Sequence, residues 1–154
     1  MVEPPLADPT GSAAAIAGLR ITAVPDHVAV VTLHSARPEA ARRGSTSHDG
    51  RYLWVQARPG IIAAGDVESL DNPTAQGMAS LHGVGLEAFL RFWTLLEAIA
   101  KLESIPADVL RRRHGSAPDA SVLAECYPAV RFITAEVDGT IITVAWMTAD
   151  TQAT

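Results

Sequence analysis

The sequence predicts an α+β fold, a mainly antiparallel sheet of two N-terminal hairpins and a C-terminal hairpin packed against one long helix and two short ones. Segments rich in β-branched residues gather at both ends of the chain, and one central stretch repeats its apolar residues at helical spacing. The two kinds of segment are blocked rather than alternating, which favours α+β over a parallel α/β design.

Residues 1–12 hold Pro4, Pro5, Pro9 and Gly11 with little to bury, and read as a flexible tail. Ser12 caps a short predicted turn over 13–17, ended by Gly18. Strands are predicted over 19–24 and 28–34 around the turn Pro25-Asp26-His27, and over 51–57 and 61–64 around Arg58-Pro59-Gly60, where the alternative is a bend in one edge strand. Residues 35–50 and 65–83 show no apolar periodicity and are expected to be long exposed connections.

The strongest periodic signal covers residues 84–105. Leu86, Phe89, Trp93, Leu96 and Ala100 form one apolar row; Glu87, Arg91, Thr94, Ala98 and Lys101 form a polar stripe, with Glu87/Arg91 and Glu97/Lys101 as i,i+4 ion pairs. A second row, Phe92, Leu95, Ile99 and Leu102, widens the apolar arc beyond what one sheet face covers, and these four are the candidate interface residues. Ser104 and Pro106 start a second helix that Gly115 stops, with three arginines in its last turn. Ser116, Pro118 and Asp119 start a third, which Pro128 ends. Residues 130–137 and 140–147 flank Asp138-Gly139, the signature of a two-residue type I′ hairpin. That turn sets Val137 opposite Thr140, Ala135 opposite Ile142, Ile133 opposite Val144 and Arg131 opposite Trp146, on the face taken as the core face. The core domain is therefore 13–148, and 149–154 is expected to fray.

At 154 residues, 48% apolar and 19% charged, the chain is one domain's worth, and with eight aromatics its core must be aliphatic. The net charge of -5 argues against binding to nucleic acid or an anionic membrane. Arginine outnumbers lysine eleven to one, which with the alanine richness is the composition of a GC-rich coding sequence. A lone Cys126 fits a reducing compartment and is expected to be a buried structural thiol. The acidic, proline-rich start lacks the features of a secretory leader, and no run of about 18 apolar residues spans a bilayer, so a cytoplasmic location is expected.

Phosphate-loop, dinucleotide, Cys-x-x-Cys and His-x-x-x-His motifs are absent from the sequence, and neither a metal nor a cofactor is expected. Gly83-Val84-Gly85 offers a weak anion site at a helix start. His27, His48 and His114 read as turn, loop and helix-end residues, and Arg111-Arg112-Arg113 as a solvated helix end. Ser45, Ser47, His48 and Asp49 are neighbours on a loop rather than a positioned triad. No catalytic residue is assigned. The candidate ligand-binding residues are His34 at a strand end, His82 before the long helix, and Arg131 beside Trp146, where a buried guanidinium needs an anionic or carbonyl partner.

Two functions follow. The first is a non-catalytic binding or assembly protein that forms a homo-oligomer, or meets a protein partner, through the helix over 84–105. The alternative is a cofactor-independent isomerase, cyclase or lyase acting on a small apolar or anionic ligand in a helix–sheet cleft.

Overall fold

The computed structural model describes residues 19–39 and 44–152. The N-terminal tail, the Ser12-capped turn, Arg42, Arg43 and the last two residues lie outside the described residues.

The chain is α+β, but its strands form two sheets instead of one. In the first sheet, β1 (Leu19–Arg20) pairs antiparallel with β2 (Ala29–His34), which pairs with β4 (Tyr52–Ala57) in the register His34 to Tyr52; β3 (Ser45–Thr46) adds to the far edge of β4. In the second, β5 (Ile61–Ser69) and β6 (Arg131–Val137) flank β7 (Thr140–Thr148), both antiparallel. The first hairpin forms across the Pro25 turn. The second does not, because β4 and β5 belong to different sheets and the chain crosses between them at Arg58-Pro59-Gly60. The C-terminal hairpin has the expected register, from Val137 opposite Thr140 to Arg131 opposite Trp146. Asp138 and Gly139 both take positive φ, 54° and 73°, as a type I′ turn requires.

The sheets pack face to face through Val31, Leu33 and Leu53 on one side and Val67, Ile142 and Val144 on the other. Gly65 sets their separation. A Cβ there would lie 2.7 Å from Leu53 Cδ2 and 2.9 Å from Val55 Cγ2, so only glycine permits this approach. The opposite face of the second sheet carries α2 (Leu86–Glu103). That sheet is thus the middle layer, and β7 is buried on both faces, not only on the one expected.

Helix α2 is enclosed on most sides. Thr94 and Ala98, assigned to a polar stripe, are fully buried. Being small, they let the helix sit close to β7: the Thr94 and Thr143 hydroxyls are 2.7 Å apart, and Ala98 clusters with Ala145. Phe92, Leu95 and Ile99 pack with Leu110 of α3 (Ala107–His114) and Leu123 of α4 (Ala120–Cys126), while Leu102 joins Ala98 and Met147. None of the four candidate interface residues exceeds 2% exposure. The second apolar row is covered by the chain's own helices and sheet, and the surface inferred from it is not there.

Two expected loops are structured. Residues 45–46 form β3, with Ser45 and Ser47 buried, and the stretch after Ala64 continues β5 to Ser69 before α1 (Pro73–His82) begins. Helix α1 escapes an apolar-periodicity reading because it buries only Ala75 and Ala79. Gly83 caps its C-terminus and Gly85 is the N-cap of α2, a structural use of both glycines. Beyond Met147 the strand runs one residue further, and Ala149–Gln152 form a helical turn whose first amide donates to Gly60 O. Cys126 is exposed, not buried.

Candidate functional site

The sequence-nominated residues do not converge. His34 lies 5.8 Å from the Tyr52 ring on the outer face of the first sheet, and His82 stacks on Phe89 at the end of α1. Arg131 and Trp146 do meet, across β6 and β7, but Arg131 is exposed and not the buried guanidinium expected. Among the described residues no group of three or more His, Cys, Asp or Glu side chains is placed to hold a metal ion.

The most unusual chemistry lies instead where α2 passes the free edge of β5. In β5 the pleat sends Ile62, Ala64, Asp66 and Glu68 to the helix side, and α2 answers with Trp93, Glu97 and Lys101 at one-turn intervals. Lys101 does not take Glu97 as its partner. Its Nζ donates to Gly65 O at 2.6 Å and to Asp66 Oδ1 at 3.3 Å, satisfying a carbonyl on a strand edge that no strand among the described residues pairs with. Ser45 Oγ, brought over the edge by β3, donates to the same Oδ1 at 2.7 Å. Among the described residues the other oxygen, Oδ2, has no hydrogen-bond partner, and the residue is only 7% exposed.

Glu68 is held from the opposite end. Asn72 Nδ2 donates to Glu68 Oε2 at 3.0 Å, while Asn72 Oδ1 accepts from the amides of Thr74 and Ala75 as the N-cap of α1. One side chain therefore starts a helix and fixes a carboxylate. Two small cavities flank the cluster. One, of about 180 Å³, is lined by Gly44, Leu53, Gly65 and Lys101; the other, of about 130 Å³, by Glu68, Asn72, Phe89 and Trp93. The Trp93 ring is covered by the Arg111 guanidinium at 5.1 Å.

Three carboxyl groups in this groove hold their protons above the ordinary range. Burial is the main cause for Asp66, outweighing the Lys101 charge and the Ser45 hydrogen bond. Burial also leads for Glu68 and Glu97, and the negative charge of Asp66 adds to both. Such a group binds its proton more tightly in the folded protein than in the unfolded chain, so it lowers stability as pH rises from its ordinary value, 3.8 for Asp66 and 4.5 for the two glutamates, through its folded value. Asp49 opposes this. Its own burial is outweighed by the Ser47 and Ser69 hydrogen bonds and the Arg51 charge, so its stabilisation is lost only as pH falls below 3.8. The expected contribution of the three raised groups is an unfolding free energy that declines as the pH rises above their ordinary values, over the mildly acid range and upward. Urea titrations across that range on wild type and on Asp66→Asn/Glu68→Gln/Glu97→Gln measure it: the difference between the two proteins should grow with pH, and a flat or inverted difference refutes the assignment.

Asp66 had a sequence signal that apolar-run reasoning passes over. The period-two set Ile62, Ala64, Asp66, Glu68 continues a strand face past its last aliphatic residue, and a carboxylate on a face that must be covered is a site by the cost of burying it. No family model, curated protein or solved structure matches this chain. Among the described residues no helix is long and apolar enough to cross a membrane.

Proposed function

We propose that this protein is a cofactor-independent acid–base enzyme of the isomerase or lyase type, acting where α2 passes the outer edge of β5. The observation that carries this reading is Asp66, a buried carboxyl whose Oδ1 is occupied by Ser45 and Lys101 while its Oδ2 has no hydrogen-bond partner among the described residues. A base needs an oxygen free to receive a proton and a pKa raised above the ordinary carboxylate value; anchoring one oxygen leaves the other for the first, and drying the group acts in the direction of the second. Lys101 and Ser45 orient the carboxyl and offset its negative charge without occupying the reactive oxygen. Glu68 and Glu97 make the groove acidic, so of the two ligand classes expected from sequence the uncharged one fits it and an anion does not.

The substrate class is a small neutral molecule with a proton made acidic by a neighbouring carbonyl. The assembly reading has no comparable support, since the helix row that motivated it is covered within the chain. The test needs no knowledge of the natural substrate. A panel of neutral ketones, aldehydes and lactones is incubated with the protein in D2O, and loss of α-proton NMR signals is compared between wild type and Asp66→Asn. The expected outcome is at least one compound whose exchange depends on wild-type protein and is lost in the variant. If no compound exchanges, and a carbon-13 titration finds Asp66 ionising in the ordinary carboxylate range, the reading fails.

A further inference from the structure

A second, larger cleft opens at the end of the two-sheet sandwich where β2, β5 and β6 begin and β7 ends. Its volume is about 410 Å³, within the roughly 300–1,000 Å³ typical of small-molecule sites. It shares no lining residue with the cavities beside Asp66. Val28, Ile61, Trp146 and Met147 supply its apolar walls, Arg131 and His27 its basic groups, and among the described residues no carboxylate lines it.

The register places Arg131 directly opposite Trp146, so guanidinium and indole stand on the same face of neighbouring strands. The Arg131 guanidinium makes no hydrogen bond or ion pair with any described residue, its backbone alone being engaged in the β6–β7 ladder. The acid next to His27 in sequence, Asp26, is bound to Arg20 instead. A planar fork of five donors is thus left at the mouth of an apolar cleft with no acceptor among the described residues.

We infer that this cleft binds a small organic monoanion, a carboxylate carrying an aromatic or compact apolar body. The carboxylate pairs with the Arg131 fork, where two parallel hydrogen bonds give direction as well as attraction. The body lies against Trp146 and Ile61, where ring contact adds to burial of apolar area. The inference is independent of Asp66 chemistry: the acidic groove between α2 and β5 repels the ligand that this basic cleft attracts.

The experiment follows the indole N–H signals of wild-type protein as 2-naphthoate is added, with neutral 2-naphthalenemethanol and inorganic phosphate as controls. Naphthoate is expected to shift the Trp146 signal saturably. The alcohol and the Arg131→Met variant should each weaken binding by about tenfold or more, Arg131→Lys should fall between, and phosphate should bind more weakly than naphthoate. Arg131 is exposed, and unchanged spectra elsewhere in the variants establish that they are folded. Equal binding of alcohol and naphthoate, or an unchanged affinity in Arg131→Met, would mean an apolar crevice without anion recognition and overturn the proposal. So would the lack of a saturable shift, a shift confined to Trp93 beside Glu68, or phosphate binding as tightly as naphthoate.

Discussion

Leu95→Ala is expected to lower the unfolding free energy by about 2–5 kcal/mol, the cost of removing a large aliphatic side chain from a filled core, and to leave the molecular mass in solution unchanged. Leu95 is 0% exposed and sits in the cluster that joins α2 to Leu110 and Leu123 of the two helices that follow it. The chain has no spare rigid wall there to relax into the space, since Phe92, Leu96 and Ile99 are equally enclosed. Urea unfolding with light scattering on the same samples checks both halves. Val122→Ala on exposed α4 surface is the control and should change stability by less than about 0.5 kcal/mol. A Leu95→Ala protein of nearly wild-type stability but altered mass would restore the helix as an association surface.

Asp66→Asn is expected to separate function from stability. Proton transfer should fall by about 10²–10⁴-fold, the usual contribution of a positioned acid or base, because the amide has no proton-accepting oxygen at the Oδ2 position. Stability at neutral pH should rise, since the substitution removes a charge whose desolvation exceeds what its partners return. The sign rests on Lys101. Its side chain is 40% exposed, so on losing Asp66 it turns to water and is not stranded as a buried charge. A purely structural ion pair predicts the opposite, a loss of about 3–5 kcal/mol when one partner is removed. Thermal unfolding of the variant decides between them. Lys101→Met completes the pair and should destabilise, because Asp66 would lose its charge partner and Gly65 its carbonyl donor.

Much of the local structure was legible in the residues. Asp138-Gly139 dictated a turn and the turn dictated a register, so every cross-strand pair from Val137 to Arg131 followed. Asp119 capped α4 through its own carboxylate, accepting from the amides of Ser121 and Val122, and the apolar spacing placed α2 to within about two residues. These features depend on neighbours in sequence: dihedral preference, capping and periodicity act over a few residues. Helix α1 and the second half of β5 were not legible by the same means. The first contributes only two alanines to the core, and the second ends in Gly65, Asp66, Glu68 and Ser69, residues that read as loop when burial is unknown.

By itself, the sequence determined the α+β class, the first and last hairpins, and the long central helix with its two apolar rows. Tertiary structure decided which strands share a sheet, what covers each helix face and which ionisable group is dry. The wide apolar arc of α2 had two physically equivalent solutions, a second subunit or the chain's own α3 and α4, and periodicity cannot distinguish them because both bury the same area. Asp66 is the same case at a single residue. Its chemistry comes from Ser45, Lys101 and the sheets around it, brought together from distant parts of the chain, and desolvation belongs to that assembled environment and not to the residue.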